Sequence, residues 1–259
     1  MHSQLEFVPR LRLSVLEGVR VHTGRDVVGV TGEAQRLLSF LALRDGAVPR
    51  SLVAGTLWPE VPESHSHSSL RSALARLERH IRAFITVEHT ELGIAACVVV
   101  DLREGKALAH RLVDEQHAPG DGDLDTGTVA LLSGDLLADR YEDWALTEAE
   151  EWRQLRLHAL EALAGRLVVL ERFGEAATAA LAAIRVEPLR ESARFALLRV
   201  HVGEGNQSEA LREFARYAEL LHDELGLEPT SRLRTLIDFS GRSARPGDLH
   251  VAPSQARPR

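Results

Sequence analysis

Cysteine and long apolar runs are scarce in this chain of 259 residues, and each scarcity excludes a class of structure. The single cysteine, Cys97, excludes an intramolecular disulfide and a zinc site made of several cysteines. No apolar run reaches the roughly 18 residues of a membrane span, and no charged start leads into an apolar core and a cleavage site. We therefore expect a cytoplasmic protein without a membrane contact or a secretory signal.

Signatures of common enzyme sites are also missing. The chain has no G-x-x-x-x-G-K-[ST], G-x-S-x-G, H-E-x-x-H or G-x-G-x-x-G pattern, so nucleotide-binding, hydrolase and zinc-protease chemistry lack their usual residues. We predict no catalytic residue and no cofactor. The alternative that the chain is an enzyme of unknown type has no support beyond scattered histidines and aspartates.

Two polar stretches begin like metal sites without completing one. In Ser64-His65-Ser66-His67 the histidines are two residues apart, and such residues do not share a helix face. The alternating aspartates of 121–125 resemble a calcium loop, but Thr126 and Leu132 stand where glycine and glutamate are needed. We predict no metal site.

Charge is unevenly distributed along the chain, whose net charge is −7. Residues 1–100 hold 11 arginines against 10 acidic residues, whereas residues 101–259 hold 20 basic against 28 acidic residues. Within 64–82 there are four arginines, three histidines and one glutamate. The basic element at 64–82 lies in a near-neutral region, and the acidic residues follow later in the chain. This distribution permits contact with nucleic acid although the net charge of the chain is negative.

The first hundred residues have the pattern of a winged helix-turn-helix. Alternating apolar residues predict a small antiparallel sheet over 11–30, and Thr31 is a suitable cap for a first helix that ends at Asp45-Gly46. A second helix begins at Pro49-Arg50-Ser51, a third runs from the serine-rich stretch at 64–69 to about Phe84, and 85–100 suggests a terminal hairpin in which Cys97 is a small buried apolar residue.

The third helix is the predicted recognition helix. Its apolar stripe is formed by Leu70, Leu74, Leu77 and Ile81. The opposite face collects Ser68, Arg71, Ser72, Arg76, Arg79 and Arg82. Arginine contacts phosphates and guanine, so this face predicts DNA binding, with an ordinary solvated helix face as the alternative.

From Leu102 onward the pattern is almost purely helical. The predicted helices are 103–116, 127–133, 146–171, 175–186, 190–203, 207–224 and 229–239. An offset of 34 residues relates Glu175-Ala176 to Glu209-Ala210 and Leu163 to Leu197, which is the period of tetratricopeptide helical hairpins. The predicted fold is therefore an α+β winged helix-turn-helix domain (1–101), an all-α tetratricopeptide-like repeat domain (102–240) and a disordered tail (241–259).

Short motifs over nearly the whole chain give it a family resemblance. They are Gly32–Leu38, Leu57–Pro62, Leu70–Arg79, Val100–Leu102, Gly134–Leu137, Tyr141–Trp144 and Glu224–Pro229. In order and spacing they resemble the small type of Streptomyces antibiotic regulatory proteins, which join a winged helix-turn-helix to a bacterial transcriptional activation domain and lack a nucleotide-hydrolysing domain.

The resemblance implies a transcription activator of a secondary-metabolite (antibiotic) gene cluster. Such an activator binds tandem direct repeats in promoter double-stranded DNA as a homodimer and recruits RNA polymerase holoenzyme. The chain departs from the family at Glu78, where a basic residue is usual, and in the acidic wing 88–94, which predicts weakened phosphate contact there.

Nine residues are the predicted DNA contacts. They are Arg50, Ser51, His67, Ser68, Arg71, Ser72, Arg76, Arg79 and Arg82. The acidic wing keeps an alternative open, in which the chain is a helical-repeat adaptor or ligand-sensing regulator whose winged domain mainly docks a protein partner.

Overall fold

Internal contacts divide the chain into two units, Met1–Leu163 and Ala164–Arg259. The computed structural model describes residues 11–24, 26–114, 116 and 120–242. Residues 241 and 242 of the predicted disordered tail are helical, because the last helix runs to Arg242, and the tail from residue 243 on lies outside the described residues. The division falls within a long helix, far beyond the predicted domain boundary at residue 101, which stays a prediction.

Two small sheets form in the first unit. The strands are β1 (Leu11–Ser14), β2 (Arg20–Thr23), β3 (Asp26–Gly29), β4 (Val48–Pro49), β5 (Ile85–Val87), β6 (Glu91–Ile94) and β7 (Val98–Val100). One sheet has the order β3-β2-β1-β7 and the other β4-β6-β5. The antiparallel pairing of β1, β2 and β3 confirms the sheet predicted over 11–30.

The predicted terminal hairpin is only partly correct. Strands β5 and β6 pair as an antiparallel hairpin, but β7 leaves it and pairs in parallel with β1. Val98 and Val100 are buried on that sheet. Cys97 precedes the strand in a turn and is exposed, so the prediction of a buried cysteine is wrong.

Seven α-helices of the described residues begin in the first unit, besides a short 3-10 helix at Asp121–Leu124. They are α1 (Gly32–Ala42), α2 (Arg50–Leu57), α3 (Glu63–Arg76), α4 (Arg79–Arg82), α5 (Asp101–Val113), α6 (Thr126–Ser133) and α7 (Asp143–Val169). Thr31 occupies the cap position of α1, but its side chain makes no capping hydrogen bond. Helix α2 ends at Leu57, before Pro59, as predicted.

The predicted third helix is interrupted. Helix α3 ends at Arg76, and Leu77 and Glu78 are extended before α4 begins. Leu70, Leu74 and Ile81 are buried as expected, whereas Leu77 is only half-buried. Apolar residues keep the same helical phase on both sides of the interruption, so periodicity alone could not reveal it.

The second unit contains the end of α7 and four further helices. They are α8 (Phe173–Val186), α9 (Glu191–Gly203), α10 (Gln207–Leu225) and α11 (Ser231–Arg242). Ala176 and Ala210, which the 34-residue offset pairs, are both fully buried. Leu198, Tyr217 and Leu233 belong to a core shared by α9, α10 and α11. Stacked helices of this kind confirm the predicted helical-repeat fold.

Candidate nucleic-acid interface

Helix α3 is anchored by α2 and by its own buried stripe. Ser66, Leu70, Ala73 and Leu74 form the buried side of α3, which packs against α2. The buried residues of α2 are Val53, Ala54 and Leu57. A helix held along one side in this way presents its opposite side to solvent at a fixed orientation, as a recognition helix must.

Seven exposed side chains of α3 lie away from that stripe. They are Ser64, His65, Ser68, Arg71, Ser72, Ala75 and Arg76. Four of the predicted DNA contacts are thus together on one helix surface. His67 is half-buried at its margin, with Nε2 3.8 Å from a carboxylate oxygen of Glu63.

The arginines around this surface have different partners. Arg71 donates from Nη2 to Ser68 Oγ at 2.8 Å. Arg76 donates from Nη2 to the carboxylate of Glu33 on α1 at 2.5 Å. Arg79 and Arg82 are exposed on α4, beyond the interruption. The interruption therefore separates the last two arginines from the face on which the sequence placed all four.

The start of α2 contacts the wing, the hairpin of β5 and β6. The backbone N–H of Arg50 donates to Thr90 O at 2.9 Å, and its Nη1 donates to Glu88 O at 3.4 Å. Arg50 is consequently half-buried, while its neighbour Ser51 is exposed. In the wing, Glu88 is exposed and Glu91 is half-buried.

Gly93 lies where the wing passes close to the α1–α2 connection. An added Cβ at Gly93 would lie 3.1 Å from Ala47 Cα, so a larger residue would require a small shift of the neighbouring backbone. The exposed carboxylate of Glu88 therefore belongs to a hairpin held close to the α1–α2 connection.

Glu33 is a contact of this region that no sequence pattern predicts. An acidic residue in the first turn of α1 interacts favourably with the helix dipole, and this alone gives no reason to expect an arginine partner. The contact with Arg76 spans 43 residues of sequence and has no local signal.

The aspartates that resembled a calcium loop have structural partners. Asp125 caps α6 by accepting from Gly127 N and Thr128 N. Asp123 accepts two hydrogen bonds from Arg111, which lowers the pKa of that carboxyl. In the described part of the chain, no group of three or more histidine, cysteine, aspartate or glutamate side chains is placed to hold a metal.

Within the first unit, the segment that follows β1 is hydrogen-bonded to the connection between α6 and α7. Leu137 N donates to Val15 O at 3.1 Å, and Glu17 N donates to Asp135 O at 2.9 Å. A Cβ on Gly134 would come within 2.9 Å of Leu16 Cβ. The Gly134–Leu137 motif therefore forms the contact between the segment after β1 and the helical region.

Comparison with known proteins gives both a family and a fold. Residues 99–238 match the profile of the bacterial transcriptional activator domain. Regulatory protein AfsR of Streptomyces griseus is 31% identical and aligns with 92% of this chain, and AfsR of Streptomyces coelicolor is 29% identical over 87%. Regulatory protein DnrI of Streptomyces peucetius is 26% identical over 83%.

The extent of these matches differs between the relatives. The chain spans 26% and 24% of the two AfsR proteins but 86% of DnrI. Mycobacterium tuberculosis EmbR, solved in complex with a low-affinity phosphopeptide, has a TM-score of 0.66 and 21% identity over 91% of this chain and 66% of EmbR. That likeness agrees with the predicted fold class. No helix of the described residues has the length and apolar character of a membrane span.

Proposed function

The chain belongs to the bacterial transcriptional activator domain family, and from this premise we propose that it is a sequence-specific DNA-binding activator of a secondary-metabolite (antibiotic) gene cluster. Its similarity to AfsR and DnrI confirms the resemblance to the Streptomyces antibiotic regulatory proteins. The family consists of transcriptional activators and not of enzymes, as the sequence predicts.

The observation that supports this proposal best is the exposed side of α3. Three serines, one histidine, one alanine and two arginines face solvent there, on a helix whose other side is buried against α2. Major grooves of DNA admit a single helix, and hydroxyl and guanidinium groups bind both phosphates and base edges. The rest of the chain is acidic, so the proposed contact is confined to this region.

We propose different tasks for the nine predicted contacts. Ser68, Arg71 and Ser72 lie on the exposed side of α3 and would face base edges. Arg79 and Arg82 would contact phosphate beyond the end of α3, and Ser51 would do so at the start of α2. Arg50, His67 and Arg76 already have intramolecular partners, which DNA phosphates would share or replace.

The proposed partners follow from the same premise. The protein would bind tandem direct repeats in promoter DNA as a homodimer and recruit RNA polymerase holoenzyme. Residues 1–101 would be the DNA-binding domain and 102–240 the activation domain, and the family match from residue 99 supports that division. Bacterial promoters lie in the cytoplasm, where we therefore place the protein.

A mobility-shift titration tests the proposal. The full chain should bind DNA from upstream of its own and neighbouring genes more tightly than random DNA of equal length. The logarithm of the binding constant should fall linearly with the logarithm of salt concentration, by about 0.9 for each neutralised phosphate. Equal affinity for both DNAs at every salt concentration would contradict sequence-specific binding.

A pair of charge-matched variants sharpens that experiment. Arg79→Ala with Arg82→Ala should weaken binding to all sequences and reduce the salt slope by about 2. Arg212→Ala with Arg232→Ala removes the same charge from the second unit and should leave the slope unchanged. Equal effects of the two pairs would mean that net charge, and not α4, determines the affinity.

The alternative adaptor function is favoured by one observation, the exposed carboxylate of Glu88 in the wing. A wing that docks on a protein has no need to avoid acidic residues. In that case the mobility shift would be absent even at low salt, when electrostatic attraction to DNA is least screened.

A further inference from the structure

The centre of the exposed side of α3 is made of small residues. At 100° per residue, Ser68, Ser72 and Ala75 lie opposite the buried stripe of Leu70 and Ala73. Arg71 and Arg76 lie on opposite flanks of this small-residue centre. Small side chains let the helix backbone approach the floor of a groove closely, which leaves His65, near the start of α3, and the two flanking arginines as the longer side chains able to reach a base.

The two flanking arginines point in different directions. The guanidinium of Arg71 is directed onto the centre, because its Nη2 donates to Ser68 Oγ at 2.8 Å. The guanidinium of Arg76 is directed off the helix towards α1, because its Nη2 lies 2.5 Å from Glu33 Oε2. Only Arg71 therefore presents its guanidinium over the surface that would face the groove.

A backbone carbonyl of α3 orients the Ser68 hydroxyl so that it can accept a hydrogen bond from Arg71. Its hydroxyl donates to Ser64 O at 3.1 Å, which leaves an oxygen lone pair for the Arg71 N–H. One of the five guanidinium N–H groups is used in that contact, and the other four remain to bind a ligand. Guanine presents two acceptors, O6 and N7, in the major groove, and the arginine fork matches them as a bidentate pair.

We propose that Arg71 reads a guanine in the target DNA, that Ser68 is its positioning residue, and that Glu33 holds Arg76 away from the base edges. The inference rests on the proposed function and adds to it the base that is read and the residue that reads it. Arg76 then contributes at most a phosphate contact, which does not select a sequence.

The experiment selects bound sequences from a random duplex DNA library with the full chain and its variants. Wild type should enrich a motif that contains guanine, and 7-deazaguanine, which lacks the N7 acceptor, should then replace each guanine in turn. At the guanine that Arg71 reads, this replacement should weaken the binding of wild type by about 5- to 150-fold. The same replacement should leave the affinity of Arg71→Ala unchanged. Arg71→Lys should keep its affinity for random DNA and lose the preference, because lysine is a point charge without the fork.

The positioning role has its own variants. Ser68→Ala should reduce the ratio of affinities for guanine and 7-deazaguanine at that position, and Ser68→Thr, which keeps the hydroxyl, should restore it. Arg76→Ala should still select the wild-type motif, with any loss of affinity shared by all sequences, and Arg212→Ala, which removes the same charge from the second unit, is the matched control. All these side chains are exposed, so thermal unfolding should be unchanged and would reveal any variant that fails to fold.

The outcomes separate the two proposals. A wild-type chain that enriches no motif overturns the proposed function and this inference together. An Arg71→Ala chain that selects the wild-type motif, or an Arg76→Ala chain that loses the guanine, overturns the inference alone. A Ser68→Ala chain that discriminates 7-deazaguanine as wild type does removes the positioning role.

Discussion

Arg44, which follows the C-terminal end of α1, donates to the Glu148 carboxylate on α7 at 2.9 Å, so the end of the first helix of the winged region is hydrogen-bonded to the helical region. Within α1, Phe40 meets Trp144 edge-on with ring centroids 5.5 Å apart, and Arg36 lies 3.0 Å from Glu142. Arg36 and Phe40 are four residues apart and so lie on one face of α1. Trp144 and Glu148 are in the first turns of α7 and Glu142 comes directly before it, so the start of α7 is part of the support for the DNA-binding elements.

The first prediction concerns the extent of the DNA-binding unit. A fragment of residues 1–101 should unfold at lower temperature and less cooperatively than a fragment of residues 1–169, which ends with α7. Without α7, Phe40 loses its cover, and one buried aromatic side chain is worth about 1.5–3 kcal/mol. Thermal unfolding followed by circular dichroism measures the difference. An equally stable short fragment would show that α1 does not need α7.

Asp101 is the subject of the second prediction. Its buried carboxylate accepts from the backbone N–H groups of Val15, Leu16 and Leu102, at 2.9, 3.3 and 2.8 Å from its nearer oxygens. In Asp101→Asn an amide N–H₂ replaces one acceptor and faces backbone donors. We expect a loss of about 1–3 kcal/mol in the free energy of unfolding, measured by urea titration. Wild-type stability would mean that these hydrogen bonds are dispensable.

The pH dependence of that site has a definite sign. Burial raises the pKa of Asp101 above its usual value, although its backbone hydrogen bonds oppose the shift. Between the unfolded and the higher folded pKa, the native state binds more protons, so the stability due to this group falls as pH rises through that window. A carbon-13 NMR titration of the Asp101 carboxyl should give a pKa above the ordinary value of an aspartate side chain.

The third prediction concerns a buried ion pair in the second unit. Glu213 is buried, with carboxylate oxygens 2.5 Å from Arg194 Nη1 and 2.6 Å from Arg216 Nη2. Arg194 is itself mostly buried, so Glu213→Ala leaves an uncompensated charge and should cost about 3–5 kcal/mol. Glu209→Ala breaks an exposed pair with Arg212 on the same helix and should cost less than about 1 kcal/mol. Denaturant unfolding of both variants compares them, and equal losses would contradict the argument.

The helical half was more predictable from sequence than the site. Helices α8 to α10 fall within two residues of their predicted bounds. Their 3.6-residue apolar period and the 34-residue offset are patterns that can be read directly from the sequence. The pairing of β7 with β1 and the contact of Glu33 with Arg76 are long-range and leave no such pattern. The exposed residues of α3 followed from periodicity, whereas the direction of each guanidinium depended on neighbours that only the fold supplies.

The last prediction concerns the wing, where Glu88 is exposed and Glu91 is half-buried. If the wing faces the DNA backbone, Glu88→Gln should tighten binding to specific and random DNA alike, and Glu91→Gln should do so less. The effect should be larger at 0.01 M salt, where the Debye length is about 30 Å, than at 0.15 M, where it is about 8 Å. Glu219→Gln removes the same charge from an exposed position of α10 and serves as the control.

Two titrations at those ionic strengths decide between the orientations of the wing. Repulsion between Glu88 and phosphate predicts that only the wing variants gain affinity and that the gain shrinks with salt. A wing that points away from DNA and supports the α1–α2 connection predicts wild-type affinity at both salts, with any change confined to thermal stability. Since the Arg50 guanidinium donates to the backbone carbonyl oxygen of Glu88, Glu88→Gln leaves that contact intact, and a change in affinity would report on the carboxylate itself.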